Sequence, residues 1–300
     1  MSLLTVRHVT TYRYSEAVAL GEHRMMFRPR ESHDLRLIEA RLDIAPRPAQ
    51  LRWVHDVFDN SVAVATFSGR TTQLRFDSTV TLEHFETELP DYSLEPTAAR
   101  YPFAYAPDDL PDLAPALRRQ APDPEIDRWA TGFLARADST DTLALLRAMT
   151  VGIREQLAYT RRIERGVQTP SETLRLGSGS CRDFALLMID GARALGLAAR
   201  FVSGYIFVPD LVPDLAPAAE ASGTRGGGAT HAWLQVYLPG AGWVDFDPTN
   251  SIIGNRNLIR VAVAWEPAQA LPLWGSFIGY AAAFLGMEVA VSVVDGTRPV

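Results

Sequence analysis

The chain has 300 residues, 47% of them apolar and 21% charged, with a net charge of −6 at pH 7. That balance fits two ordinary globular domains or one large one and excludes a disordered chain. A pI near 5.6 implies no basic face, so no nucleic-acid partner is expected. The single cysteine excludes an internal disulfide and fits a reducing, cytoplasmic setting.

The first 90 residues read as strands. Leu3–Tyr14 alternates and is too polar for a signal peptide. Further strand-like runs follow at 37–44, 51–58, 61–67 and 74–85, separated by Pro46 and Pro48, Asp59-Asn60 and Ser68-Gly69. The expectation is a β-sandwich-like domain over 1–90, whose histidines decorate strands and turns. A proline-rich linker is expected over 91–124, its aromatics Tyr92, Tyr101, Phe103 and Tyr105 gluing it to a domain surface.

Helical periods begin after the linker, in an α+β region over 125–300. Ile126, Trp129 and Phe133 mark one helix, and Leu143, Leu146, Met149, Ile153 and Leu157 a second, with Asp138-Ser139-Thr140 offering its N-cap. Thr169-Pro170-Ser171-Glu172 is a capping box with proline at N1, opening a short helix to Leu176. A glycine- and serine-rich turn then leads into a helix ending at Gly196, with Cys181 on its first turn. A strand near 198–208, a long loop over 209–229 and the runs 230–238 and 243–247 follow. Those two runs are joined by Pro239-Gly240-Ala241-Gly242 and predict an antiparallel hairpin. More strand character appears over 257–264. Leu271–Met287 carries no charge, but Pro272 and three glycines argue against a membrane span, and Val289, Val291 and Val293 alternate like a half-buried strand.

A thiol at a helix N-terminus feels the positive end of the helix dipole, which favours its ionised form. A nucleophilic cysteine also needs a base, and the base an orienting group. His231 is the only histidine after residue 84, and Asp247 lies on the neighbouring strand. Hairpin parity places both side chains on one face only if the turn has an odd number of residues or a bulge. Asp245, two residues earlier on the same face, is the rival orienter. Trp233 shares the face of His231 and either walls the site or packs in the core. Arg182 and Asp183 set the electrostatics of the helix start without being catalytic. The histidines show no metal-binding spacing; a zinc site from Cys181, His231 and Asp247 is a minor alternative.

Three blocks carry a family resemblance: Gly177–Met188 (G-S-G-S-C-R-D-F-A-L-L-M), Ala194–Tyr205, and Thr230–Asn250 (T-H-A-W-L-Q-V-Y-L-P-G-A-G-W-V-D-F-D-P-T-N). Together they resemble the bacterial transglutaminase-like cysteine protease family, and residues 1–90 resemble the β-rich domain that commonly precedes its core. The resemblance implies a papain/transglutaminase-like α+β core, with a nucleophile helix packed on an antiparallel sheet. It implies Cys181 as nucleophile, His231 as base and Asp247 as orienter, with no metal or cofactor. The expected reaction is hydrolysis of a peptide or protein amide through a thioester; transamidation to an amine and a non-catalytic binding module are the alternatives. Arylamine N-acetyltransferase-like transfer fits the β-rich first third less well. For the second oxyanion donor, Tyr159 is the weak candidate; the position six residues before the cysteine, a glutamine in papain, is Arg175 here. The loop 209–229 is long for the family and a possible cover for the site.

Overall fold

The computed structural model describes residues 1–86, 92–136, 141–162, 166–208, 225 and 227–296. The first half is built on one long strand, β1 (Ser2–Met25). Its N-terminal part alternates buried and less buried residues, as its sequence alternates apolar and polar ones. The strands β2 (Leu35–Ala45), β3 (Gln50–His55), β4 (Ser61–Thr66) and β5 (Arg70–His84) assemble around it in the order β2-β5-β1-β4-β3. β5 pairs mainly with the first half of β1 and β4 with its end; register shifts between Arg13 and Val18 and between Leu20 and His23 mark bulges that bend the strand. The sandwich-like unit is therefore one continuous sheet bent along β1, around Tyr12, Val18, Met25, Phe27, Leu74 and Phe76.

The linker is more ordered than its prolines suggest. Tyr101 Oη donates to the Leu195 carbonyl at 3.0 Å, and Tyr105 Oη donates to Tyr237 O at 3.0 Å while accepting from Ala198 N at 2.8 Å. It also contains a helix the sequence reading missed, α1 (Leu110–Leu117). Pro111 sits in its first turn, where proline costs little, and the contacts of Leu113 and Ala116 with Tyr105 and Ala198 supply the stabilisation that propensity lacks.

Two helices, α2 (Pro124–Arg136) and α3 (Thr142–Gln156), follow close to expectation. The N-cap of α3 is Asp141, whose carboxylate accepts from Ala144 N at 2.7 Å; Asp138-Ser139-Thr140 lie outside the described residues. After β6 (Ala158–Tyr159), α4 (Pro170–Leu176) and β7 (Ser178–Gly179) comes the central helix, α5 (Cys181–Ala194). It packs on an antiparallel sheet formed by β8 (Ala199–Ile206), β9 (His231–Leu238), β10 (Gly242–Asp247), β11 (Ile252–Ile253) and β12 (Leu258–Ala264), in the order β11-β10-β9-β8-β12. Phe184, Leu187 and Met188 are fully buried in the cluster that also holds Leu234, Val236 and Phe246. Each such side chain stabilises the fold by roughly 1.5–3 kcal/mol.

The C-terminal strands depart from expectation. The sequence reading places them in the core, but β13 (Leu273–Ile278) and β14 (Phe284–Asp295) both pair with β1. Alternation specifies a half-buried strand, not the sheet that receives it. Here Val291 and Val293 join Leu4, Val6 and Leu82 in a cluster that also includes Tyr205, Ile259 and Val261, so one apolar cluster spans both sheets. Polar clasps add to it: Asn60 donates to Val263 O at 2.8 Å and accepts from Val263 N at 2.9 Å. No helix among the described residues is long and apolar enough to cross a membrane.

Gly204, opposite His231 in the β8–β9 pairing, marks a close approach. A Cβ there would lie 2.1 Å from the Ile259 carbonyl oxygen and 2.8 Å from the Trp233 ring. Gly204→Ala is therefore expected to cost about 1–3 kcal/mol of stability, read as a Tm lowered by several degrees in thermal unfolding. An unchanged Tm would contradict this packing.

Candidate active site

The nucleophile turn is built by local chemistry. Thr169 and Glu172 form the expected capping box, and α4 stops at Gly177, whose φ of 61° is the left-handed conformation glycine favours. Ser178-Gly179 then pairs in parallel with Ala158-Tyr159, which carries Tyr159 to the cysteine turn. Ser180 caps α5, and Cys181 is the first residue of the helix.

Asp183 has a larger share in this turn than its sequence position suggests. It is fully buried, and it accepts from Ser180 N and Oγ at 2.8 and 2.7 Å, from Gln168 N at 2.7 Å and from Arg162 at 2.8 and 2.9 Å. A lone buried carboxylate would carry a desolvation cost. Arg162 pairs with that charge, and Asp183 ties Ser180 and Gln168 into the turn.

The base and its orienter come from the hairpin. β9 and β10 pair Leu238 with Gly242, leaving the three-residue turn Pro239-Gly240-Ala241. Its odd length satisfies the parity condition, and His231 and Asp247 share a face. Their Nε2 and Oδ2 atoms lie 2.8 Å apart, with both side chains fully buried. Asp247 also accepts from Asn250 Nδ2 at 2.8 Å and from Thr249 N at 2.9 Å. Asp245, the rival on the same face, is engaged one step along the hairpin instead: it accepts from Trp233 Nε1 at 2.6 Å and lies 3.9 Å from Arg260.

Burial opposes an imidazolium at His231, but the Asp247 charge and hydrogen bond, with smaller contributions from Cys181, outweigh it and push the pKa up to about 10. Burial likewise opposes ionisation of Asp247. The His231 charge and the hydrogen bonds from His231, Asn250 and Thr249 outweigh it and hold this carboxyl below its ordinary value. The other ring nitrogen, Nδ1, is buried and bonded to no group in strict geometry. Cys181 is the ionisable group acting on the ring beside Asp247.

Trp233 is fully buried, stacked on the His231 ring at 5.9 Å between centroids with an interplanar angle of 26°. It supports the imidazole from behind and is out of reach of a substrate. Tyr159 is held at the site, edge-on to Phe184 at 6.4 Å. Burial raises its pKa, as do the nearby Cys181 and Asp247, while Arg161 and Arg182 act the other way. The phenol therefore stays protonated and able to donate. Among the described residues no group of three or more His, Cys, Asp or Glu side chains is placed to hold a metal ion.

A curled antiparallel sheet carrying a helix that begins with cysteine, beside a buried His-Asp pair, defines a transglutaminase-like fold. The chain belongs to the transglutaminase-like superfamily: residues 129–248 match its model, and residues 4–83 match the bacterial transglutaminase-like N-terminal region. An uncharacterised Mycobacterium tuberculosis protein is 32% identical over 90% of this chain and 86% of its own length. A Mycobacterium leprae protein, also uncharacterised, is 25% identical over 96% and 98%. The crystal structure of a candidate cysteine protease from Cytophaga hutchinsonii superposes with a TM-score of 0.69, at 19% identity, over 98% of this chain and 92% of that one.

Proposed function

We propose that the protein is a Cys-His-Asp acyl-transfer enzyme that hydrolyses peptide or protein amide bonds through a thioester. The observation that carries this reading is the buried His231–Asp247 pair at 2.8 Å, facing a cysteine at a helix start. The Cys181 sulfur attacks the amide carbonyl carbon, and its proton resides on His231 Nδ1. Collapse of the tetrahedral intermediate expels the amine, which takes that proton. Water, deprotonated by the same nitrogen, then attacks the thioester carbonyl and releases the carboxylic acid and the thiol. Asp247 fixes the ring orientation and stabilises the imidazolium.

The backbone N–H of Cys181 belongs to the first turn of α5, whose donors lack intrahelical acceptors, and is one oxyanion donor. Tyr159 Oη is the second. Tyr159→Phe is expected to lower kcat by roughly 10- to 1000-fold with little change in KM, measured by steady-state kinetics; a KM effect alone would reject this role.

Hydrolysis is favoured over transamidation because no acceptor has to be accommodated in a site as enclosed as this one, where Cys181 is 7% exposed. The test is cleavage of a peptide library with and without an added primary amine, in wild type and Cys181→Ala. The chain contains no lysine, all 29 of its Lys+Arg residues being arginine, so its own side chains offer no competing amine. Cleavage without amine incorporation supports the hydrolase, and dominant incorporation replaces it with a transamidase.

A further inference from the structure

A second acid–aromatic pair stands beside the His231–Asp247 pair on the same face of the hairpin. β9 and β10 pair Asp245 with Gln235, so Asp245 is diagonal to Trp233 just as Asp247 is diagonal to His231. Each carboxylate bonds its diagonal neighbour. Asp247 Oδ2 meets His231 Nε2 at 2.8 Å, and Asp245 Oδ1 accepts from Trp233 Nε1 at 2.6 Å. The two pairs touch through their rings: the indole of Trp233 stacks on the imidazole with centroids 5.9 Å apart and planes 26° apart.

A single bond at Nε2 restrains the imidazole weakly against rotation about Cβ–Cγ, because that rotation moves Nδ1 further than Nε2. The stacked indole adds the missing restraint, and the indole is itself held by Asp245. That carboxylate is fixed at its other oxygen in turn. Oδ2 lies 3.9 Å from Arg260 Nη1, and Arg260 Nη2 lies 3.3 Å from Asp34, just before β2 of the first sheet. Asp34, His84, Trp233, Asp245, Asn255 and Arg260 line one pocket where the two sheets meet, so the anchor of the indole is tied to both. Packing alone does not call for an acid here. Burial opposes ionisation of Asp245 and raises its pKa, as does Asp34, while Arg260, Trp233 and Gln235 act the other way. Replacing a buried charge pair by apolar side chains is often neutral or stabilising.

We infer that Asp245 is a positioning residue for the catalytic imidazole, acting through Trp233: its oxygen locks the indole, and the indole sets the plane in which His231 Nδ1 reaches Cys181. This assignment rests on the reading of His231 as the base that activates Cys181, and deepens it.

The test reads iodoacetamide labelling at pH 6 by intact mass on the full chain, whose one cysteine makes the signal that of Cys181 alone. Circular dichroism is the folding control. Asp245→Leu, of similar size but with no acceptor, is expected to label about tenfold more slowly than wild type, the worth of one hydrogen bond. Asp245→Asn keeps an oxygen for the indole N–H and is expected to recover most of that rate. Trp233→Phe keeps a ring against the imidazole but removes the donor. It is expected to label as slowly as Asp245→Leu, with no further loss in the double variant. A wild-type rate in Asp245→Leu overturns the proposal. So does an Asp245→Asn variant no faster than Asp245→Leu, or a further loss of about tenfold when Asp245→Leu is added to Trp233→Phe. Should Asp245→Leu not fold, a wild-type rate in Trp233→Phe overturns it alone. Failure of the underlying reading looks different: wild-type Cys181 then labels at pH 6 no faster than N-acetylcysteinamide.

Discussion

Cys181→Ala is expected to reduce kcat/KM for amide hydrolysis by at least ~10⁴-fold while leaving a folded protein. The reaction as derived forms a covalent bond to this sulfur, and the remaining oxyanion donors and His231 cannot replace that step; loss of a nucleophile from a triad typically has an effect of this size. The fold tolerates the change because Cys181 is one small member of a large apolar cluster dominated by α5 and the facing strands. Removing one sulfur there costs on the order of 1 kcal/mol, far below the effect on catalysis. Kinetics on a cleaved library peptide, with circular dichroism as the folding control, give the comparison. Residual hydrolysis within tenfold of wild type in a folded variant would remove Cys181 from the mechanism.

The second large effect belongs to Asp247. Asp247→Asn keeps an acceptor for His231 Nε2 but removes the charge, and a kcat loss of roughly 10²- to 10⁴-fold is expected. Asp247→Ala also leaves the imidazole without its partner in a fully buried position; breaking such a pair costs about 3–5 kcal/mol. The pair sets a pH signature. His231 is raised from 6.5 to about 10, so its contribution to stability is fully present below pH 6.5. It is lost as pH rises through about 10. Asp247 is lowered from 3.8, so its contribution is present above pH 3.8 and lost as pH falls through the depressed value. Wild-type Tm should therefore decline between pH 6.5 and 10 more steeply than that of Asp247→Asn. Parallel Tm curves would contradict the coupling of the two groups.

Much of the site was legible because its parts are local. The capping box at Thr169, the helix beginning at Cys181 and the hairpin from His231 to Asp247 each follow from a few adjacent residues. The three-residue turn puts the face of β10 that carries Asp245 and Asp247 on the side of His231, and Asp247 rather than Asp245 orients the ring because it lies nearer the level of His231 along the hairpin. What was not legible depends on distant pairing. The union of β13 and β14 with β1, the use of Asp245 by Trp233 and Arg260, and the delivery of Tyr159 by β6 all require chain segments far apart in sequence. Asn250 carries a weak signal, since D-P-T-N reads first as a turn. Its two hydrogen bonds to the Arg225 backbone depend on a residue of the 209–229 loop lying against it; most of that loop is outside the described residues, and so is the expectation that it covers the site. α1 was missed because its prolines dominate its propensity, whereas its contacts decide its structure.

The central claim is that His231, held by Asp247, activates Cys181. The rate of iodoacetamide labelling of the one cysteine, followed by intact mass from pH 4.5 to 9 in wild type and His231→Ala, tests it most directly. The account predicts labelling of the wild type well below pH 7 at rates above those of a free thiol, and loss of that acidic limb in His231→Ala. Wild-type labelling that follows the pH curve of a free thiol, unchanged by His231→Ala, would contradict it.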